Sequence, residues 1–300
     1  MPFYLKKGDL VASTVDAIVN ASNVNLKMVE GVGRAIFHKA GDAELGRACK
    51  AIGKCNVGKA VLTPSFNLTN CKGIIHAVAP IYINGKHNEE KLLRSAYRES
   101  LKICLENGYT SVAFPLLSGE FNYPLSEAYD VAQDEFLKFL KDHKDFEIYL
   151  VIFKNFPDLL DEKTHINLKS YIINNFDTKI QDNPKYDNSE FVAMVKSLAS
   201  DKGLTLEDLA KNSNMRYCDL EMLINDQTFI PSKNLALSIA LGLKLNEEEA
   251  LTLLKTLGYM TCKNSVVALV SLFFINKGIY DVYEINKALF NYEAKPLGLQ

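Results

Sequence analysis

GDLVASTVDAIVNASNVNLKMVEGVGRAIFHKAG, Gly8 to Gly41, holds the pattern that decides the fold. Asp16-Ala17-Ile18-Val19 is a short apolar run with β-branched residues and reads as a buried strand. It ends in the polar cluster Asn20-Ala21-Ser22-Asn23. A loop containing Gly31 and Gly33 follows, then Ala35-Ile36-Phe37-His38-Lys39-Ala40, a helix closed by Gly41. Strand, polar loop, glycines and helix start are the parts from which α/β proteins build phosphate sites. Glycine lets the backbone approach closely, and free helix N–H groups face the anion. The glycines alone fit a plain strand–loop–helix turn equally well.

A second stretch shifts the balance. Ser111-Val112-Ala113-Phe114-Pro115-Leu116-Leu117 is another apolar strand candidate, and it runs into Ser118-Gly119-Glu120-Phe121-Asn122-Tyr123-Pro124. Two loops at strand C-terminal ends form one crevice in an open α/β sheet.

The order and spacing of GDL, VDAIVNASN, IIHAVAP and FPLLSGEFNYP resemble the macrodomain family of ADP-ribose-binding modules. The resemblance covers roughly the first 175 residues and implies a three-layer α/β/α fold with a mixed, mostly parallel sheet. It also implies roles for particular residues. Asp9, beside Leu10, would accept a hydrogen bond from the adenine amino group; an Asp holding its own turn is the plainer reading. Asn20 would brace the loop, and Asn23 would face the distal ribose and orient its hydroxyls, which makes it the catalytic candidate. Gly31, Val32 and Gly33 would lie along the ligand. Ser118, Gly119, Glu120 and the backbone through Asn122 would form a nest of N–H groups for the diphosphate. Phe121 would cover the distal ribose, and Phe153, after the last strand, would stack on adenine or else sit in the core. His76 reads as a satisfied core histidine.

The glycine loop departs from the family. Three consecutive glycines, an apolar residue and, in many hydrolases, an Asp are expected; Val29-Glu30-Gly31-Val32-Gly33 stands there. Side chains at Val29 and Glu30 restrict the backbone, and Gly33 replaces the Asp. Glu30 and Glu120 place carboxylates near a diphosphate, which weakens binding unless they point outward. Asn122 stands where the family has a glycine and tolerates the left-handed region better than other side chains.

The chain has 300 residues, 48% hydrophobic, a length that suggests two domains. No apolar run approaches the ~18 residues a membrane helix needs, and MPFYLKKGD lacks a signal-peptide core. Six cysteines without a C-x-x-C pair read as reduced thiols of a cytoplasmic protein. With five dispersed histidines, neither a metal site nor a redox cofactor is expected. The expected organisation is a macrodomain over 1–176, a polar linker over 177–188 and an all-helical domain over 189–300.

Helical patterns follow the linker: 191–200, 205–211, 216–225, 232–241, 246–257, 265–274 and 282–290. Thr205 with Asp208 forms a capping-box start. The arrangement resembles the helix-turn-helix domains of bacterial repressors. Its recognition helix, however, carries Asp219 and Glu221, and residues 185–300 hold twelve Lys/Arg against fourteen Asp/Glu. That balance disfavours DNA and favours a protein partner. Val266 to Phe274 is too densely apolar for one amphipathic face: some residues are expected to cover neighbouring helices and some to be left for a partner or a second copy of the chain, the plainer alternative being that all pack inside.

Three functions remain open: ADP-ribose or ADP-ribosyl binding with hydrolysis of a mono-ADP-ribosyl or O-acetyl-ADP-ribose bond by substrate-assisted water attack, a non-catalytic reader, and a nucleotide-sensing DNA-binding regulator.

Overall fold

Ala17, Ile18 and Val19 are fully buried at the centre of a sheet, because a strand with neighbours on both edges and helices on both faces has no solvent side. The structure is a computed structural model and describes residues 2–117, 122–153, 159–177, 179, 181–185 and 187–298. It divides into two compact units, Lys6–Phe156 and Pro157–Gln300, the latter with Met1–Leu5.

The α/β unit follows the order β1 (Phe3–Lys7), β2 (Ala17–Ser22), α1 (Val32–Ala40), α2 (Asp42–Ile52), β3 (Ala60–Pro64), β4 (Gly73–Val78), α3 (Glu89–Glu106), β5 (Ser111–Phe114), α4 (Leu125–Asp142) and β6 (Glu147–Ile152). The six-stranded sheet runs β1-β6-β5-β2-β4-β3. β2 pairs in parallel with β4 and β5, and β5 with β6, while β3 is antiparallel to β4. The mixed, mostly parallel sheet expected from the sequence is present. β1 straddles the division of the chain: residues to Leu5 group with the helical unit, Lys6 and Lys7 with the sheet.

Ile18, Ile74, Val78 and Ala113 pack on one face with Ile36 and Phe37 of α1 and Leu45 and Cys49 of α2. Tyr97 of α3, Phe114 of β5 and Phe136 of α4 meet with ring centroids 4.9–5.5 Å apart, the spacing of tilted and edge-on aromatic contacts. The strand expected over 111–117 ends at Phe114, before Pro115, which has no N–H to donate to a ladder.

The helical unit contains α5 (Glu162–Asn175), α6 (Ser189–Asp201), α7 (Leu206–Asn212), α8 (Tyr217–Asn225), α9 (Lys233–Gly242), α10 (Glu247–Lys255), α11 (Val266–Ile275) and α12 (Val282–Asn291). Each falls within two residues of its expected span where one was stated. The capping box of Thr205 and Asp208 opens α7, and a second joins Asn246 and Glu249 at α10. Residues Val267–Ile275 of α11 are all buried, so its excess of apolar residues is absorbed within the unit rather than left for a partner. α5 contributes Leu168 to the same core. The segment read as a linker is pinned: Asn183 and Lys185 donate backbone N–H bonds to Gly258 and Leu257. Fully buried Asn188 donates through Nδ2 to the carbonyls of Leu223, Asp226 and Phe229 at 2.8–3.1 Å.

Among the described residues no helix is long and apolar enough to cross a membrane. All six cysteines are free, and only Cys218 is exposed.

Candidate functional site

The parallel strands β2, β4, β5 and β6 point their C-terminal ends the same way. The two loops chosen from the sequence leave from β2 and β5 at that edge, as the open-sheet rule requires.

Asn23 braces its own loop, the part expected of Asn20, while Asn20 turns into the core. Asn23 Oδ1 accepts from the backbone N–H groups of Asn25 and Lys27 at 3.0 and 3.2 Å, and its Nδ2 donates to the Lys27 carbonyl at 2.9 Å. The amide expected to meet the ribose closes its own loop. Asn20 is fully buried, and its Nδ2 donates to His76 Nδ1 at 3.0 Å. An amide nitrogen has no lone pair to offer, so Nδ1 accepts and the imidazole proton sits on Nε2. Nε2 lies 2.9 Å from Thr63 Oγ1 and 3.8 Å from Cys49 Sγ. Burial pushes His76 down to about 4, which keeps it neutral. It is the satisfied core histidine expected. Asn20 Oδ1 finds no hydrogen-bond partner among the described residues.

That oxygen faces the start of α1. A Cβ built on Gly33 would lie 3.3 Å from Asn20 Oδ1 and 2.5 Å from Val29 Cγ2. Gly31 precedes α1 at φ 70°, a left-handed conformation that glycine adopts without strain, and it leaves the helix without a side-chain cap. The first-turn N–H groups are therefore unspent on capping side chains. Glu30 points outward: its carboxylate pairs with Arg34 at 3.0 Å, and both side chains are exposed. The condition under which Glu30 spares a bound anion is met.

Asp9 caps the 3-10 turn Leu10–Ala12, with Oδ1 accepting from Val11 N at 3.1 Å. Its carboxylate remains exposed on a cavity of about 410 Å³ lined also by Lys6, Lys7, Ser13, Thr14 and Tyr149. One oxygen holds the turn, and the other has capacity for a donor. Leu10 is buried in the core, so only its backbone can serve a ligand. Phe153 is 65% exposed, which removes the core reading and leaves a bare ring just after β6.

Of the second loop, Ser118, Gly119, Glu120 and Phe121 lie outside the described residues. Its two ends are described. Leu117 N donates to Tyr97 Oη at 3.0 Å in the core, and Asn122 has φ 60°, the left-handed conformation its side chain tolerates. Sequence reasoning missed Tyr97, because its helical spacing reads only as core. No group of three or more potential metal ligands occurs among the described residues.

The macro domain family model matches residues 19–132. A protein of Fusobacterium nucleatum is 45% identical over 157 residues, 52% of this chain and 85% of its own length. An O-acetyl-ADP-ribose deacetylase of Citrobacter koseri is 43% identical over 145 residues, 47% of this chain and 81% of its own. Among solved structures, a macrodomain of Oceanobacillus iheyensis with ADP is 32% identical, with 49% of this chain and 81% of that chain covered and a TM-score of 0.47.

Proposed function

Because the chain belongs to the macro domain family, we propose that its α/β unit binds ADP-ribose or an ADP-ribosyl group in the crevice at the ends of β2, β5 and β6. The observation that carries this reading is the exposed carboxylate of Asp9; the bare ring of Phe153 after the neighbouring strand and the start of α1, free of a side-chain cap, support it. Asp9 would accept from the adenine amino group, Leu10 would contribute backbone, and Phe153 would stack on the base, worth ~1–3 kcal/mol by analogy with single-strand binding. Gly31, Val32 and Gly33 would supply N–H groups to the diphosphate, with Ser118, Gly119, Glu120 and Asn122 opposite. Phe121 would cover the distal ribose. Asn20, through His76, would hold the strand end from which the first loop leaves.

In the hydrolytic form of this reading the bond cleaved is the ester of O-acetyl-ADP-ribose, as the Citrobacter koseri relative's name describes, or a mono-ADP-ribosyl bond. Gly33 offers no side-chain base, so positioning is the main device. For a mono-ADP-ribosyl bond, a water held at a phosphate oxygen would attack C1″. Asn23, closing its loop, would fix the backbone beside the distal ribose rather than act as a base.

The second reading is a reader that binds without hydrolysis. The filled space between Val29 and Gly33, where catalytic relatives of the resemblance place an Asp, favours it. We also propose that the chain works as two parts, with the helical part serving a protein partner and not DNA. Arg216, the one arginine at the helix-turn-helix-like segment, is held by Asp219 through two bonds of 2.8 Å. That pairing leaves little charge for phosphates.

Calorimetric titration with ADP-ribose tests the binding claim, and the absence of heat or saturation would end it. Incubation with O-acetyl-ADP-ribose, followed by mass spectrometry for released acetate and ADP-ribose, separates the hydrolase from the reader.

A further inference from the structure

The loop between β4 and α3 exposes its two isoleucines, Ile81 at 65% and Ile83 at 66%. Burial of those residues therefore does not hold it. Two other devices do. Glu89, the first residue of α3, is 2% exposed, and its Oε1 accepts from the N–H groups of Ile83, Asn84 and Gly85 at 3.2–3.3 Å. Its Oε2 accepts from His87 N. One carboxylate thus gathers four backbone donors from a single loop, a use of nearly all its lone pairs.

The second device is Tyr82. A Cβ built on Gly85, which has φ 75°, would lie 3.3 Å from Tyr82 Oη, so the ring lies beside the turn that Glu89 closes. The ring packs in turn on Tyr123, with centroids 4.7 Å apart and planes tilted by 57°. Tyr123 is 5% exposed and directly follows Asn122, the left-handed residue at the exit of the second loop. The entrance of that loop is fixed to the core by Tyr97 at Leu117. Among the described residues, its exit is held on one side through Tyr123, Tyr82 and the Glu89-bound turn, and on the other by α4, whose Ala128 N–H donates to the Pro124 carbonyl at 2.9 Å.

We infer that Glu89 and Tyr82 are positioning residues that set the exit of the second loop, and through it the affinity for the diphosphate and distal ribose, without touching the ligand. The inference rests on the ADP-ribose reading and extends it. Adenine recognition by Asp9 and Phe153 lies at other strands and does not depend on this chain of contacts. The signature is therefore selective. Weakening the Glu89 turn should lower affinity for ADP-ribose and leave affinity for adenosine alone.

The test titrates adenosine and ADP-ribose, by NMR and by calorimetry, into the full chain carrying no change, Glu89→Gln, Tyr82→Ala or Tyr82→Phe. Glu89→Gln keeps the volume but turns an NH₂ toward backbone donors, so part of the gathered turn is released. ADP-ribose affinity should fall about tenfold in Glu89→Gln and in Tyr82→Ala, a loss of the size that misplaced binding groups produce. Adenosine affinity should stay within about twofold in both, and Tyr82→Phe, which keeps the ring contact, should behave as the unchanged chain. Should Glu89→Gln fail to fold, Tyr82→Ala carries the same expectation. Equal losses for both ligands, or unchanged ADP-ribose affinity in the variants, would overturn the inference while the binding reading stands. An unchanged chain that binds neither ligand would end the binding reading, and this inference with it.

Discussion

Val29 and Gly33 share one volume. A Cβ on Gly33 would start 2.5 Å from Val29 Cγ2, far inside van der Waals contact. Where the family resemblance expects glycine at the first position and Asp at the second, this chain has moved the side chain from one to the other. The two departures are thus one packing solution. Valine is stiff at χ1, so it cannot swing away cheaply.

Restoring only the Asp should therefore fail. Gly33→Asp is expected to destabilise the α/β unit by about 1–3 kcal/mol, the usual range for overpacking. Adding Val29→Gly should recover at least about 1 kcal/mol, since contacting residues couple. Urea unfolding of the two single variants and the double variant measures this. Additive losses would show that the two side chains do not compete for the same space.

Asp9 holds its turn with one oxygen and presents the carboxylate to the cavity. Asp9→Asn keeps an acceptor for Val11 N but replaces the other oxygen with a donor, which opposes the adenine amino group. ADP-ribose affinity should drop by ~1–3 kcal/mol with stability nearly unchanged, because only the ligand bond is lost. Asp9→Ala should lose both affinity and roughly 1 kcal/mol of cap stability. If Asp9→Asn binds as tightly as the unchanged chain, adenine does not sit at Asp9.

His76 predicts a pH dependence. Its folded value of about 4 lies below the ordinary 6.5, so the unfolded chain binds the proton first as pH falls. Its contribution to stability is full above pH 6.5 and declines as pH drops toward about 4, by about 3 kcal/mol in all. Protonation would also set an Nδ1–H against the donating Nδ2 of Asn20. His76→Gln should be less stable at neutral pH yet show a flatter profile between pH 6.5 and 4. A slope equal to that of the unchanged chain would assign the titration elsewhere.

Glu30 invites the opposite expectation from the one its charge suggests. Its carboxylate is solvent-exposed and paired with Arg34. Exposed ion pairs are worth ~0–1 kcal/mol and are screened by salt. Glu30→Gly should therefore change ADP-ribose affinity by no more than about threefold, measured by calorimetry at 0.15 M salt. A tenfold gain would mean that Glu30 does repel the bound diphosphate.

The fold was legible in the sequence because Ile18-Val19 and Val112-Ala113 are continuous apolar runs, and such runs belong to strands covered on both faces. The helices were legible from caps such as Thr205 and from apolar spacing. Side-chain direction was not. Asn20 and Asn23 are the same residue type three positions apart, and nothing in the order of residues says which amide turns inward to His76 and which closes the loop. The same blindness hid Glu89, whose partners are backbone N–H groups and carry no residue signature. Val266 to Phe274 misled because apolar density alone does not reveal whether neighbouring helices surround it.

The most demanding test concerns the chain's first residues. Asn214 is fully buried at φ 54°, and its Oδ1 accepts from Phe3 N at 2.9 Å while Nδ2 donates to Phe3 O at 2.9 Å and to Leu297 O at 3.1 Å. One amide thus reads the backbone near both ends of the chain. Phe3 also packs on Tyr283, with ring centroids 6.1 Å apart. The helical unit therefore includes residues from before the α/β unit as well as after it, and cutting the chain at residue 184 would not yield two self-sufficient pieces. Asn214→Gly keeps the left-handed backbone and removes the three bonds. Losing them leaves buried backbone groups unpaired, so the expected loss is about 2–4 kcal/mol. Asn214→Ala removes the bonds and adds left-handed strain, so it should lie about 1 kcal/mol lower still. Urea unfolding gives the losses, and hydrogen exchange at Phe3 and Tyr4 locates them. Unchanged protection of those amides in Asn214→Gly would show that the first residues are held by something other than this amide.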